Sequence, residues 1–218
     1  MQRFFDIFFS FLALLVLSPL FIPIIIILRV TGEGEIFYIQ ERSGKEGKHF
    51  GLYKFATMLR DSPNMGAGEI TLKSDPRVLK FGKYLRKTKL NELPQLINIL
   101  FGEMSIVGPR PMVPNTYLKY PLEAQKKINT VRPGLTGIGS IIFRDEETFL
   151  DTKDDPRKFY DDVIIPYKSN LEIWYVENKT FTIYLKIIFI TACAVIFPSY
   201  RGFDSYFKDL PKLPDDLT

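Results

Sequence analysis

The chain has 218 residues, of which 46% are hydrophobic, 14% aromatic and 25% charged, with a net charge of +4. That length holds one domain of ordinary size with a small appendage and excludes two large domains, and the composition excludes a disordered or low-complexity chain. The single cysteine, Cys193, can close no intrachain disulfide, and with a single histidine, His49, there is no His/Cys metal cluster and no Ser/His/Asp arrangement.

The first element is apolar. Residues 7–28 run without a charge, between Arg3 and Asp6 on one side and Arg29 on the other. A straight helix of that length would just cross a hydrocarbon core of about 30 Å. A secretory signal fits less well, because the run exceeds the usual apolar region and no small-x-small cleavage site follows it. Ser18-Pro19 stands in the middle, with Pro23 beyond. Pro19 lacks an N–H and its ring collides with the carbonyl of Leu15, so a break is expected there, with Ser18 placed to bond a freed carbonyl. A broken helix permits a kinked span or a re-entrant hairpin, and the flanking charges accept both.

After the anchor, two aromatic and β-branched runs at 36–40 and 50–55, separated by Ser43-Gly44-Lys45-Glu46-Gly47, signal a hairpin. Residues 65–69 read as a loop, and Asp75-Pro76 as a turn into a basic amphipathic helix over 77–87, a candidate for lying on anionic lipid. From Arg77 to Glu92 there are six bases and one acid; between Arg144 and Asp162 there are eight acids and four bases. That reversal argues against a nucleic-acid-binding surface. A further helix is expected from Asn91 to the Gly102 stop, and others over 122–129, 155–178 and 182–197, the last with an uncharged stretch too short to span a bilayer. Residues 208–218 read as a loosely held tail. The expected fold is therefore mostly α with a small β-hairpin, divided into a membrane helix over 1–30, a compact domain over 31–200 and a tail over 201–218.

Several stretches, in order, resemble the bacterial sugar transferase family, the monotopic phosphoglycosyl transferases. They are RFFDIFFSFLALLVLSPLF, FYIQERSGKEGKHFGLYKFATM, DPRVLKFGKYLRKTKLNELPQLINILFGEMSIVGPRP, VRPGLTGIG and WYVENKTFTIYLKIIFIT, which together run over most of residues 1–190. The resemblance implies a re-entrant membrane helix bent at Ser18-Pro19, interfacial amphipathic helices, and a cytoplasmic domain on the inner face of a bacterial cytoplasmic membrane. It also implies a Mg²⁺ ion, a nucleotide-diphosphate sugar as donor and polyprenyl phosphate as acceptor, in the first membrane step of lipid-linked glycan assembly. Oligomeric state is left open. Sugar-phosphate transfer needs cations to hold phosphate oxygens and a metal to neutralise developing charge. Arg77, Arg86, Lys87, Arg110 and Arg132 are candidates for the first task. Arg110 leads, because Pro109 and Pro111 restrain the backbone around a planar guanidinium suited to bidentate phosphate binding.

One departure stands at the centre. Where the family is expected to carry Asp-Glu, with the aspartate as nucleophile, this chain has Asn91-Glu92. An amide is uncharged and a poor nucleophile and Mg²⁺ ligand. Glu92 is then the candidate metal ligand and catalytic carboxylate, with direct attack by polyprenyl phosphate as another route. A binding or scaffold protein impaired in turnover, an asparagine introduced to trap a complex, and a plain N-cap role for Asn91 are the alternatives. A smaller departure is Ala56, where arginine is expected. Residues 139–150, with Arg144-Asp145-Glu146-Glu147, are candidates for sugar choice.

Overall fold

The computed structural model describes residues 1–65, 75–144, 146–197 and 203–217. Its first element, α1 (Gln2–Val30), is by length and composition able to cross a membrane. Helical backbone continues through Ser18-Pro19 and Pro23. Ser18 Oγ donates to the Leu15 carbonyl at 2.8 Å, satisfying the acceptor that Pro19 cannot.

α1 is held by the rest of the chain at both ends. Near its start Gln2 Nε2 donates to Ser105 Oγ at 3.0 Å and Arg3 Nη1 to the Ile99 carbonyl at 2.6 Å. The buried Asp6 carboxylate accepts from Ser105 Oγ at 2.9 Å, from the Ile106 amide at 3.0 Å and from the Tyr184 hydroxyl at 3.0 Å. Ala13 and Leu14 pack against the cluster of Leu52, Leu96, Ile99 and Met104, and Ile24 and Leu28 are buried with Phe55 and Leu85. The opposite face, including Phe8, Phe11, Leu15, Val16, Ile22 and Ile26, is exposed and apolar.

The hairpin pairs β1 (Phe37–Ser43) with β2 (His49–Phe55), Phe37 opposite Phe55 and Ser43 opposite His49. Its turn places Glu46 at φ 61° and Gly47 at φ 71°. Then come α2 (Lys80–Lys87), a 3₁₀ turn over Leu90–Glu92, α3 (Gln95–Phe101), β3 (Ser105–Val107), α4 (Pro114–Tyr117), α5 (Leu122–Ile128) and β4 (Gly134–Thr136). β3 and β4 form a short parallel pair that the sequence reading missed. α6 (Ile138–Ile142), α7 (Glu146–Asp151), α8 (Pro156–Phe159), α9 (Ile165–Asn178) and α10 (Phe181–Ile196) enclose the largest core, around Ile138, Ile164, Leu171, Tyr184 and Ile187.

Several expected boundaries move for physical reasons. α2 starts at Lys80 rather than Arg77, because Val78 bridges to Met58 in extended conformation. The helix expected over 155–178 is divided by a π-helical turn at Tyr160–Ile164. The tail is not loosely held: Phe207 packs edge-on against Trp174, Leu217 is buried, and the Tyr167 hydroxyl donates to the Pro211 carbonyl at 3.1 Å. Of the loop expected over 65–69, residues 66–69 lie outside the described residues, as does Asp145.

Candidate active site

The Gly108-Pro109-Arg110-Pro111 loop follows β3 and is held from three sides. Gly108 N–H donates to the Thr136 carbonyl at 3.0 Å, and Gly134 N–H to the Pro109 carbonyl at 2.8 Å. These strands approach so closely that a Cβ on Gly108 would lie 2.4 Å from the Arg132 carbonyl, and one on Gly134 would lie 2.1 Å from the Gly108 nitrogen. Glycine is required at both by contact between backbones. From the hairpin, Arg42 Nη1 donates to the Pro111 carbonyl at 3.1 Å and Ser43 N–H to the Met112 carbonyl at 2.9 Å. From below, the buried Glu172 on α9 accepts from the Arg110 N–H at 3.3 Å.

This loop carries the Arg110 side chain to Glu92, with Nη2 3.6 Å from Oε1. The arginine keeps 45% of its side-chain surface accessible, so the pair is loose, worth at most about 1 kcal/mol, and open to exchange with a phosphate. Burial alone would raise the Glu92 carboxyl, but Arg110, Lys54, Lys89 and Arg42 hold it below the usual carboxylate value. Lys54, on β2, is pushed down to about 7, first by burial and then by Arg42, with Arg110 and Arg86 adding to the effect and Glu92 opposing it. Several cations thus act on one carboxylate, leaving an excess of positive charge suited to a diphosphate. Behind Arg110 lie Glu172, pushed up to about 7 by burial, and Lys168, 2.6 Å from Glu146.

Asn91 is 6% exposed and sits inside the 3₁₀ turn. The N-cap role is overturned: α3 begins at Gln95 without a side-chain cap, and Asn91 Oδ1 is buried with no hydrogen-bond partner. The turn is entered through Lys89 at φ 60°, a left-handed conformation uncommon for a residue with a side chain, which sets the direction in which residues 91 and 92 leave the chain.

The structure therefore brings together Asn91, Glu92 and Arg110, with Arg86 close enough to act on Lys54. It places the other candidates elsewhere. Arg77 is 3% exposed and bound to both Asp75 oxygens and to the carbonyls of Ser62 and Met65, a structural clamp. Arg132 Nε donates to the Gly102 carbonyl at 2.7 Å, behind the C-terminus of α3. Lys87 is exposed on α2, and Ser18 and Pro19 lie on the anchor. Lys54, Arg42 and Glu172 were missed. A lysine or arginine alternating with apolar residues along a strand reads as a solvated face, and Glu172 reads as a helix surface residue; pairing and burial alone reveal them.

Comparison with known proteins identifies the family. The bacterial sugar transferase family matches residues 1–198. The undecaprenyl-phosphate glucose phosphotransferase of Komagataeibacter xylinus is 33% identical over 201 residues, covering 90% of this chain but 36% of that protein. The exopolysaccharide production protein ExoY of Sinorhizobium fredii is 40% identical over 162 residues, 68% of this chain and 71% of its own. The uncharacterized sugar transferase EpsL of Bacillus subtilis is 33% identical over 196 residues, 90% and 87% of the two chains. The chain thus spans about a third of the first of these and most of the other two. With the family match running from the anchor through α10, the chain belongs to the bacterial sugar transferase family.

Proposed function

We propose that the protein transfers a sugar phosphate from a nucleotide-diphosphate sugar to polyprenyl phosphate, at the inner face of a bacterial cytoplasmic membrane, as an early step of exopolysaccharide or related glycan assembly. The observation that carries this reading is the cluster in which Arg42, Lys54 and Arg110 act on the single carboxylate of Glu92 beside the buried, unpartnered Oδ1 of Asn91. Arg110 exchanges its loose contact with Glu92 for donor phosphate oxygens, and Lys54 and Arg42 supply further charge. The names of relatives, among them a UDP-glucose:undecaprenyl-phosphate glucose-1-phosphate transferase of Klebsiella pneumoniae, support the same chemistry.

A Mg²⁺ ion fits these residues. Among the described residues no group of three or more His, Cys, Asp or Glu is gathered. Mg²⁺ needs none, since it keeps waters and takes one or two protein oxygens with substrate phosphates. Glu92 would hold it, with the orphaned Asn91 Oδ1 at most a weaker second oxygen; the surrounding cations oppose a bare ion, so it would arrive with the donor. When bound it neutralises charge developing on the phosphoryl oxygens.

The membrane arrangement follows from the same reading. α1 enters and leaves on one side, supported by the Asp6 contacts at one end and the Ile24 and Leu28 packing at the other, both made to one body. α2 turns Lys80, Lys83 and Lys87 to solvent at the end of the anchor and would meet anionic lipid. The deciding experiment is product analysis from a panel of nucleotide sugars with polyprenyl phosphate and Mg²⁺. Nucleoside monophosphate release supports sugar-phosphate transfer. Nucleoside diphosphate release means ordinary glycosyl transfer, and retained donor without release means a binding protein.

A further inference from the structure

Glu172 has no part in the reaction as described, yet it holds an unusual place. In Gly108-Pro109-Arg110-Pro111 the two prolines carry no N–H, so the Arg110 amide is the one main-chain donor between them. That donor goes to Glu172 Oε1 at 3.3 Å, while the flanking carbonyls of Pro109 and Pro111 are taken by Gly134 and Arg42. Glu172 is 3% exposed, and its second oxygen, Oε2, is buried with no hydrogen-bond partner. Room for the carboxyl is made by Gly139, where a Cβ would lie 2.7 Å from Oε1. Lys168, one turn earlier on α9, is engaged by Glu146 on α7.

We infer that Glu172 is a positioning residue for the donor site, whose buried carboxyl fastens the Arg110 main chain so that the guanidinium projects over Glu92. A buried carboxyl with an orphaned oxygen is expensive to keep, and the packed core around α9 would readily take an apolar side chain in its place. What an apolar side chain cannot do is accept the Arg110 N–H. Burial raises the carboxyl to about 7, so it fastens the main chain while carrying only part of a negative charge at neutral pH.

What Arg110 binds rests on the proposed donor; the fastening itself does not. The test therefore has two readouts on the full-length protein: hydrogen exchange over residues 106–112, and the affinity for UDP with Mg²⁺ by calorimetry. Glu172→Ala is expected to speed exchange at the Arg110 amide at least tenfold and to weaken UDP about tenfold. Glu172→Gln, which keeps an acceptor at Oε1, should stay within about twofold of the unmodified protein in both. Gly139→Ala, which pushes the carboxyl aside while retaining it, should resemble Glu172→Ala; if Glu172→Ala does not fold, this pair decides. Unchanged exchange in Glu172→Ala or Gly139→Ala, or a Gln variant as damaged as the Ala variant, overturns the inference. An unmodified protein that binds no UDP counts against the donor reading, while the exchange rates still decide the role of Glu172.

Discussion

At the scale of single residues, the site is organised by an excess of positive charge over one carboxylate. Lys54 reports it. In the free protein this lysine is neutral above about pH 7, because burial and Arg42 disfavour its charge. A bound diphosphate reverses that balance and raises its pKa, so between about pH 7 and the raised value donor binding takes up a proton. Donor affinity should therefore weaken as pH rises above 7. Calorimetry in buffers of different ionisation enthalpy should show the uptake, and Lys54→Met should remove that contribution. Asn91 offers a second test. Asn91→Asp is nearly isosteric, and the neighbouring Arg110 and Lys54 would keep the new carboxylate ionised. It should create or strongly raise nucleoside monophosphate release, and mass spectrometry should find a sugar-phosphate adduct on residue 91 when acceptor is withheld. Good turnover by the unmodified protein with no gain and no adduct in the variant would mean that Glu92 attacks, or that transfer is direct.

At the scale of elements, α1 is tied to the domain by polar contacts at its start and apolar ones at its end. Asp6 receives three donors in a buried position, from β3 and from α10. Asp6→Ala leaves them unsatisfied and should cost about 2–4 kcal/mol, measured by urea denaturation in detergent, whereas Asp6→Asn keeps one acceptor oxygen and should cost less. The centre of the helix is governed by Ser18, which caps the Leu15 carbonyl beside Pro19. Replacing both Ser18 and Pro19 by alanine restores a regular hydrogen-bond ladder and should shift the anchor toward a straight span. With Cys193 replaced and a cysteine at position 2, a reagent that cannot cross the membrane should reach the unmodified anchor from the cytoplasmic side alone. Labelling from outside would contradict the re-entrant arrangement.

At the scale of the whole molecule, an exposed apolar face on α1 lies beside an exposed basic face on α2, with Tyr84 between the lysines. Such a surface suits a membrane interface, where apolar burial and attraction to anionic head groups act together. Replacing Lys80, Lys83 and Lys87 by glutamine should lower binding to vesicles rich in anionic lipid by about 100-fold, at about 1 kcal/mol per lysine, while leaving binding to neutral vesicles nearly unchanged. An equal loss on both lipid types would show that α2 acts through folding instead.

The sequence by itself determined the class of the molecule and much of its outline. The uncharged run of residues 7–28, the glycine-bearing hairpin turn, and the helical spacing of Leu93, Leu96, Ile97 and Leu100 before Gly102 are local patterns, and local physics is enough to read them. Arg110 stood out because its proline neighbours are adjacent in the chain. Only the tertiary structure decided which charges share a site. Arg77 and Arg110 both follow a proline, but Asp75 and two backbone carbonyls enclose the first, while Glu92, eighteen or more residues from any of Lys54, Arg42 and Arg110, meets the second. The parallel pairing of β3 with β4, the fastening of the Arg110 amide by Glu172 and the packing of Leu217 into the core depend likewise on contacts between distant segments. Burial and electrostatic coupling act through space, and no periodicity along the chain records them.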